Sequence, residues 1–482
     1  YEDVTNIDAV GLVTARNGIV VGSGITLSKD GDIFATGVTT STTFSGSGAS
    51  LTNLPAGQLT GALPAISGAN LTGIAATDNV RTGILDVAGI ATFRNDVNVG
   101  AAVTISESGI EASGVGITCA NINGNQIGGR RNFVINGEAR VAQRGTVTDH
   151  GTSAKYTAVD RFKTRIGQNY NFDVTSSQST DAPVGFSHSL KLSPDSTSTP
   201  SGDANGAVGT ILEGSDLQGF GFGTSSAKPM TLSFYAKSGS AGAGTYSIDI
   251  HYVADGGAAK QQTRAFTITS SWQRFIFTFE ANGTATSDAI RNTTSEGLRI
   301  FWHLASGPDD IQSAITTWTS TSSMKTVTGM DNFMSSTSNE FYITGVQLEI
   351  GSQATAFEHR TLGDELSLCQ RYFYMAASGA DSGTNTVAMC LNYGTGSARA
   401  VFHFPTTMRT TPDIYSVEGT NYFRILQAGG TSDYPDEIHG GNERPNMAEM
   451  AFEDDVSGLT AGQASLLRLH NAAARIGFEA EL

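Results

Sequence analysis

Large side chains are scarce at the start of this chain. Of 24 Phe, 13 Tyr and 3 Trp in 482 residues, only four aromatics (Tyr1, Phe34, Phe44 and Phe93) lie in the first 129 positions. A globular domain needs large side chains to fill a core at crystal-like density, so the first quarter is expected to have no core of its own. Charge is scarce too, at 15 % of residues, and weighted to one sign: 29 Lys and Arg face 45 Asp and Glu, a net of −16. No third of the chain is basic, and residues 371–482 contain no Lys. The cationic footprint by which a nucleic-acid binder releases counterions is therefore missing. No apolar run approaches the roughly 18 residues of a membrane span, and no basic segment leads into an apolar one as in a secretory signal. Cys119, Cys369 and Cys390 are odd in number and widely spaced, which fits neither a disulfide framework nor a thiolate metal site. Each is expected as a small buried hydrophobe. The chain begins at Tyr1 rather than Met, as a processed or partial piece of something longer would.

Catalytic signatures are missing as well. There is no Gly-x-Ser-x-Gly elbow, His-Glu-x-x-His, Walker loop or EF-hand loop, and the eight His are scattered without metal spacing. No catalytic residue, metal ligand or cofactor is expected. The GFGFG run over 219–223 reads as a turn, without the strand–helix context of a phosphate loop. The adjacent acidic pairs Asp309–Asp310 and Asp454–Asp455 would point to opposite faces of a strand, so neither suits a glycosidase site.

What the first quarter does contain is a repeat. With one gap, residues 11–40 match 89–117: Gly11, Thr14, Arg16, Asn17, Val21 and Gly22 fall on Gly89, Thr92, Arg94, Asn95, Val99 and Gly100, and Ile33, Ala35 and Gly37 on Ile110, Ala112 and Gly114. A shorter echo, SGASLT at 47–52, recurs as SGANLT at 67–72. Within the unit, Ile25 and Leu27 alternate toward the turn signal Lys29-Asp30-Gly31-Asp32, and Ile33 opens a return strand. One chain cannot bury such a thin apolar face, whereas three copies around an axis can. A fibrous β-structured shaft over 1–129, trimeric in its simplest form, is expected, with a flexible Gly/Ser/Thr linker as the alternative.

After the joint at 121–129, short β-type runs follow one another without a long amphipathic helix: MTLSFYAK at 230–237, TYSIDIHY at 245–252, WQRFIFTF at 272–279, LRIFWHL at 298–304 and EFYITGVQLE at 340–349. They predict an antiparallel sandwich of jelly-roll type over 130–360. Thr361 with Asp364 marks a helix start, and Leu362, Glu365, Leu366, Cys369 and Phe373 share a face at helical spacing, so 361–375 is expected as a short helical connector packed on the sandwich or on symmetry mates. Residues 376–482 return to short strands and predict a second, smaller β-sandwich.

The runs NFVINGEARVAQRGT (132–146), DRF (160–162), SWQRF (271–275), TGVQLEIGSQATAFEHR (344–360) and ELSLCQRYF (365–373) resemble the carbohydrate-binding-module-like jelly roll of tail fibre proteins from tailed bacteriophages. FPTTMRTTP (404–412) and the final FEAEL resemble the closing domain of the same proteins, and the shaft repeat is similar to those of phages infecting marine cyanobacteria. The resemblance implies a homotrimeric virion fibre, joined to tail or adaptor proteins through its N-terminal end. It also implies attachment to host surface polysaccharide or lipopolysaccharide, without membrane insertion or nucleic-acid binding. Such folds often hold one structural Ca²⁺, for which no ligand set can be named here. A polysaccharide-cleaving tailspike and a purely structural fibre of the capsid or neck are the alternatives.

Sugar recognition needs an aromatic face beside planar amides, carboxylates or Arg that fork onto vicinal hydroxyls. The longest polar insertion of the last third, 428–446, supplies Asp433, Tyr434, Asp436, Glu437, Asn442 and Arg444, with Tyr422 on the strand before it. Trp318, in a Thr/Ser-rich loop, is a further candidate, whereas Trp272 and Trp302 sit with apolar strands and are expected in the core.

Overall fold

The computed structural model describes residues 7–43 apart from 18 and 24, residues 45 and 52, three strands between 97 and 112, and 130–482 apart from 284, 321–324, 380–385 and 454–455. Cys119, the 47–72 echo and the Asp454–Asp455 pair lie outside the described residues. The chain forms two compact units, 1–111 and 112–482.

In the first unit the sequence repeat is a structural repeat. Ile19–Val21, Ile25–Leu27 and Ile33–Ala35 form an antiparallel meander. The equivalent positions, Val97–Val99, Val103–Ser106 and Gly109–Ala112, form a second one. The expected turn is present: Ser28 N donates to Asp32 O (2.9 Å), and Gly31 takes a φ of +89°, open to glycine at little cost. Small aliphatics on three-residue strands bury little, and Val21, Ile33 and Phe34 are each more than half exposed.

The second unit holds two sandwiches. In the first, a six-stranded sheet runs Thr319–Ser320, Ala259–Ile268, Gly244–Val253, Glu296–Ser306, Asn205–Glu213, Phe162–Gly167. It packs on a five-stranded sheet of Gln273–Phe279, Met230–Ser238, Phe341–Ile350, Ser189–Pro194 and Val174–Ser179. Period-two alternation puts Tyr246, Ile248, Ile250 and Tyr252 of one strand, and Leu298, Ile300, Trp302 and Leu304 of its neighbour, into the shared core. Trp302 is fully buried, as expected; its ring centroid lies 5.3 Å from that of Phe234. The GFGFG run is no loose turn. Its two aromatics, Phe220 and Phe222, are core residues, and Gly221 and Gly223 take positive φ so that both rings can turn inward.

Residues 132–141, the head of the family-like segment, brace the sandwich. Phe133 N donates to Leu348 O (3.0 Å), and the Asn132 amide bridges Val346 O and Leu348 N. The predicted helix spans Leu362–Gln370, capped by Thr361 Oγ1 on Asp364 N (3.2 Å). Leu362 is exposed, and Phe373 already opens a strand, so the buried face reduces to Glu365 and Cys369. Glu365 is not there for hydrophobicity: its carboxylate accepts from Asn136 N (2.5 Å) and the Arg360 guanidinium (3.2 Å).

The second sandwich sets Phe373–Ser378, Arg475–Glu479 and Asp413–Val417 against a seven-stranded sheet. That sheet runs Ser432–Asp433, Phe423–Gln427, Ala464–Leu469, Thr386–Asn392, Ala398–His403, Met447–Glu453, Glu437–Arg444. Phe402, Phe423, Phe452 and Phe478 fill its core. Cys369 and Cys390 are buried free thiols, each with its pKa pushed up by burial. The described residues are thus nearly all β in their regular structure. Among the described residues no helix is long and apolar enough to cross a membrane.

Candidate functional site

The polar insertion expected as a loop at the tip is largely strand. Ser432–Asp433 pairs with the 423–427 strand, and Glu437–Arg444 is the outermost strand of the seven-stranded sheet, with a bulge between Gly440 and Asn442. Two glycines and a run of charges conceal it in the sequence. They are what an edge strand carries, because only one of its sides is paired and most of its side chains face water.

The candidates gather only in part: Tyr422, Tyr434 and Asp436 meet through Asn421 and His470. Asp433 Oδ2 accepts from Ser457 N (3.1 Å) and Gly458 N (2.8 Å), and Asp436 Oδ1 from Asn421 N (2.8 Å), so both carboxylates hold backbone turns. Tyr434 packs on His470 at 5.0 Å, Tyr422 lies against the sandwich core, and the Asn442 amide donates to Glu449 (3.2 Å). Glu437 and Arg444 are exposed at opposite ends of one strand, roughly 23 Å apart at the rise of extended chain. Trp318 belongs to the other sandwich. It is half-buried among Tyr252, Phe222 and Phe279, with its indole N–H given to Glu280 O (2.7 Å). Trp272, expected in the core, is instead half-exposed beside an edge strand, donating to Asp181 Oδ1 (3.0 Å).

A different surface gathers chemistry. On the side of the six-stranded sheet away from the core, strand register lines up three rows. Arg165, Ala207, His303 and Ser247 form the first; Lys163, Gly209, Phe301, Asp249 and Thr263 the second; Ile211, Arg299, His251 and Gln261 the third. Their alternation with core residues follows from the pleat. The half toward Ser247, Asp249, His251 and Gln261 is roofed by the segment following Asp310. There Ile315 N donates to Thr263 Oγ1 (2.9 Å) and Lys325 N to Gln261 Oε1 (3.4 Å).

Beneath that roof the polar atoms outnumber their partners. Ser247 Oγ, both Asp249 oxygens, both ring nitrogens of His251 and of His303, and Gln261 Nε2 are buried without a hydrogen-bond partner among the described residues. Buried polar groups are as a rule paired, with protein or ordered water, and the roof closes these off from the open surface. Burial sets the charge states. It pushes the Asp249 carboxyl up to about 7, against the pull of Arg165 and Arg299. It pushes His251 and His303 down to about 3, helped by Arg299 and Arg165 at His251 and by Arg165 at His303. Both imidazoles are therefore neutral at neutral pH.

Beyond the roof the rows run into an open groove of about 300 Å³, lined by Lys163, Arg165, Ile211, Glu296, Arg299 and Phe301, with Ala154 and Leu482 at its rim. Hollows of about 450 Å³ and 190 Å³ adjoin it along the seam of the two sandwiches, sharing Ala154 and Leu482 with it and bringing Tyr156, Tyr415 and Asp413. Burial lowers the Lys163 ammonium and the Arg165 guanidinium alike. Lys163 Nζ donates to Leu482 O (2.8 Å), and Arg299 is ion-paired with Glu296. Ile211 and Phe301, only 7 % and 2 % exposed and with Leu482 packed on them, form the buried apolar base of the groove. Above it, planar guanidinium forks and one carboxylate are the groups that grip vicinal hydroxyls. None of these lining residues was singled out in the sequence. The signal was the alternation of Ser, Asp and His with Tyr and Ile over 245–252, which marks a second, polar face.

No family model matches this sequence, and no curated protein matches it. Among solved structures, it is similar to the family 11 carbohydrate-binding module of a cellulosomal cellulase of Clostridium thermocellum, with 15 % identity over 44 % of this chain and 99 % of that one, at a TM-score of 0.22. It is similar also to a xylan-binding domain of Paenibacillus barcinonensis, with 10 % identity over 43 % of this chain and 94 % of that one, at 0.22. A third is the enzymatically active domain of tailspike protein 4 from bacteriophage CBA120, with 13 % identity over 45 % of this chain but only 21 % of that one, at 0.23.

Proposed function

We propose that this chain is a non-catalytic saccharide-binding protein whose seat is the groove on the outer face of the six-stranded sheet. The observation that carries the reading is the juxtaposition there of the guanidinium forks of Arg165 and Arg299 with the Glu296 carboxylate, over an apolar base of Ile211 and Phe301. In this reading the chain serves as a tail fibre of a bacteriophage virion and attaches it to surface glycan of the host cell. The exposed Val21, Ile33 and Phe34 of the first unit would then be covered by two further copies in a homotrimer. Three weak seats per fibre multiply avidity without new contacts.

The test is a titration of the purified chain with oligosaccharides, comparing Arg299→Ala with Tyr434→Ala. The reading expects Arg299→Ala to weaken binding about tenfold or more, as loss of charge-assisted hydrogen bonds does, and Tyr434→Ala to leave it unchanged. The reverse pattern would return the seat to the tip, and release of shorter fragments would make the protein an enzyme.

A further inference from the structure

Resting on the reading that the groove seats a saccharide, we propose that it selects an anionic one, a chain bearing carboxylate or sulfate groups, through Arg165. The chain carries a net charge of −16, yet among its side chains the groove reverses that sign, with three cationic ones against the one acidic side chain of Glu296. Two of the three cations are already occupied. Lys163 is held by Leu482 O, and Arg299 by Glu296.

Arg165 is not occupied. Its Nε is buried without a partner, and no described residue forms an ion pair with its guanidinium. Along its row the nearest polar side chain is His303, whose neutral ring offers no negative charge. Arg299 adds repulsion from the next strand but one. Three carboxylates act on Arg165 from beyond ion-pairing distance: Asp249, held close to neutral by burial, Glu296, which is engaged by Arg299, and Asp310, which is engaged by Lys325. A partly buried guanidinium facing another, with no carboxylate in ion-pair contact, is an unfavourable arrangement in the isolated protein. A planar anion entering the groove would remove the penalty and match the guanidinium fork. A neutral sugar would leave it standing.

The experiment pairs ligands that differ only in charge: a galacturonate oligosaccharide and its fully methyl-esterified form, with a sulfated oligosaccharide as a third arm, each titrated into the full chain. The proposal expects the acid to bind about tenfold or more tightly than the ester. The advantage should shrink between about 50 and 500 mM salt as screening grows. Tight binding in the carboxylate arm alone assigns the anion as carboxylate, and in the sulfate arm alone as sulfate. Arg165→Gln should erase the preference while keeping residual affinity for the ester, and Arg165→Lys should retain part of it. The melting temperature of Arg165→Gln is read alongside and is expected not to fall, since that change removes an unpaired cation. Equal affinity for acid and ester overturns the anion preference while leaving the groove as a saccharide seat. Failure of all three ligands, together with neutral oligosaccharides, overturns both.

Discussion

Arg161, at the start of the first sandwich, is ion-paired with Glu481, which follows the last strand of the second, and both side chains are only 3 % exposed. Around them Arg144 lies 3.4 Å from Glu481 and stacks 3.6 Å above the Phe373 ring, and Arg371 grips Glu213 through two bonds of 3.0 Å. The two sandwiches are therefore joined by buried charges, and breaking one partner strands the other. We predict that Arg161→Met or Glu481→Gln destabilises the unit by about 3–5 kcal/mol. The double variant should cost much less than the two together, which denaturant unfolding of all four proteins would measure.

Asn136 is a second fixed point. It sits at a φ of +60°, and its amide spans Val141 N (3.0 Å), Val141 O (2.8 Å) and Asp160 O (2.9 Å). Asn136→Ala loses these bonds and keeps the unfavourable φ, whereas Asn136→Gly loses only the bonds. Alanine should therefore be worse than glycine by about 1 kcal/mol, with both below the parent in thermal unfolding.

Asp249 gives a dependence on pH with a definite sign. Its carboxyl is raised to about 7 by burial, so between about pH 4 and 7 the folded protein holds a proton that the unfolded chain has lost. Stability from this group is present at low pH and is lost as pH rises through that window. The melting temperature of Asp249→Asn, relative to the parent, should climb from pH 4 to 7 and then level. His303, lowered to about 3, acts oppositely: its contribution is full above about pH 6.5 and is lost on acidification toward 3. A His303→Asn variant should accordingly fall less steeply than the parent on acidification.

The exposed aliphatic strands of the first unit predict a trimer in light scattering at working concentration. Val21→Asp with Ile33→Asp should shift the mass toward the monomer while leaving the second unit's melting transition in place. A monomeric parent would contradict the shaft reading.

Much of the architecture was legible because strands announce themselves through period-two alternation and turns through Gly and Asp. The meander around Gly31, the Thr361 cap and the inward face of 246–252 all follow from local pattern. The site was not, because its parts come from strands far apart in sequence. Nothing near Ser247, Asp249 or His251 says that a segment some seventy residues later roofs them, and nothing near Arg165 says that Arg299 lies two strands away. At the tip, Tyr, Asp and Asn in a row signalled a binding loop. The carboxylates of Asp433 and Asp436 instead tie down backbone N–H groups, the more frequent use of such residues in turns.

The most direct test of the groove is a crystal structure of the chain soaked with an oligosaccharide that it binds in solution. The account predicts sugar density on the outer face of the six-stranded sheet, over Ile211 and Phe301 and within hydrogen-bonding reach of Arg165 or Arg299. Density instead on the 428–446 insertion of the second sandwich, at Tyr434, Asn442 or Arg444, with the groove unaltered, would contradict it.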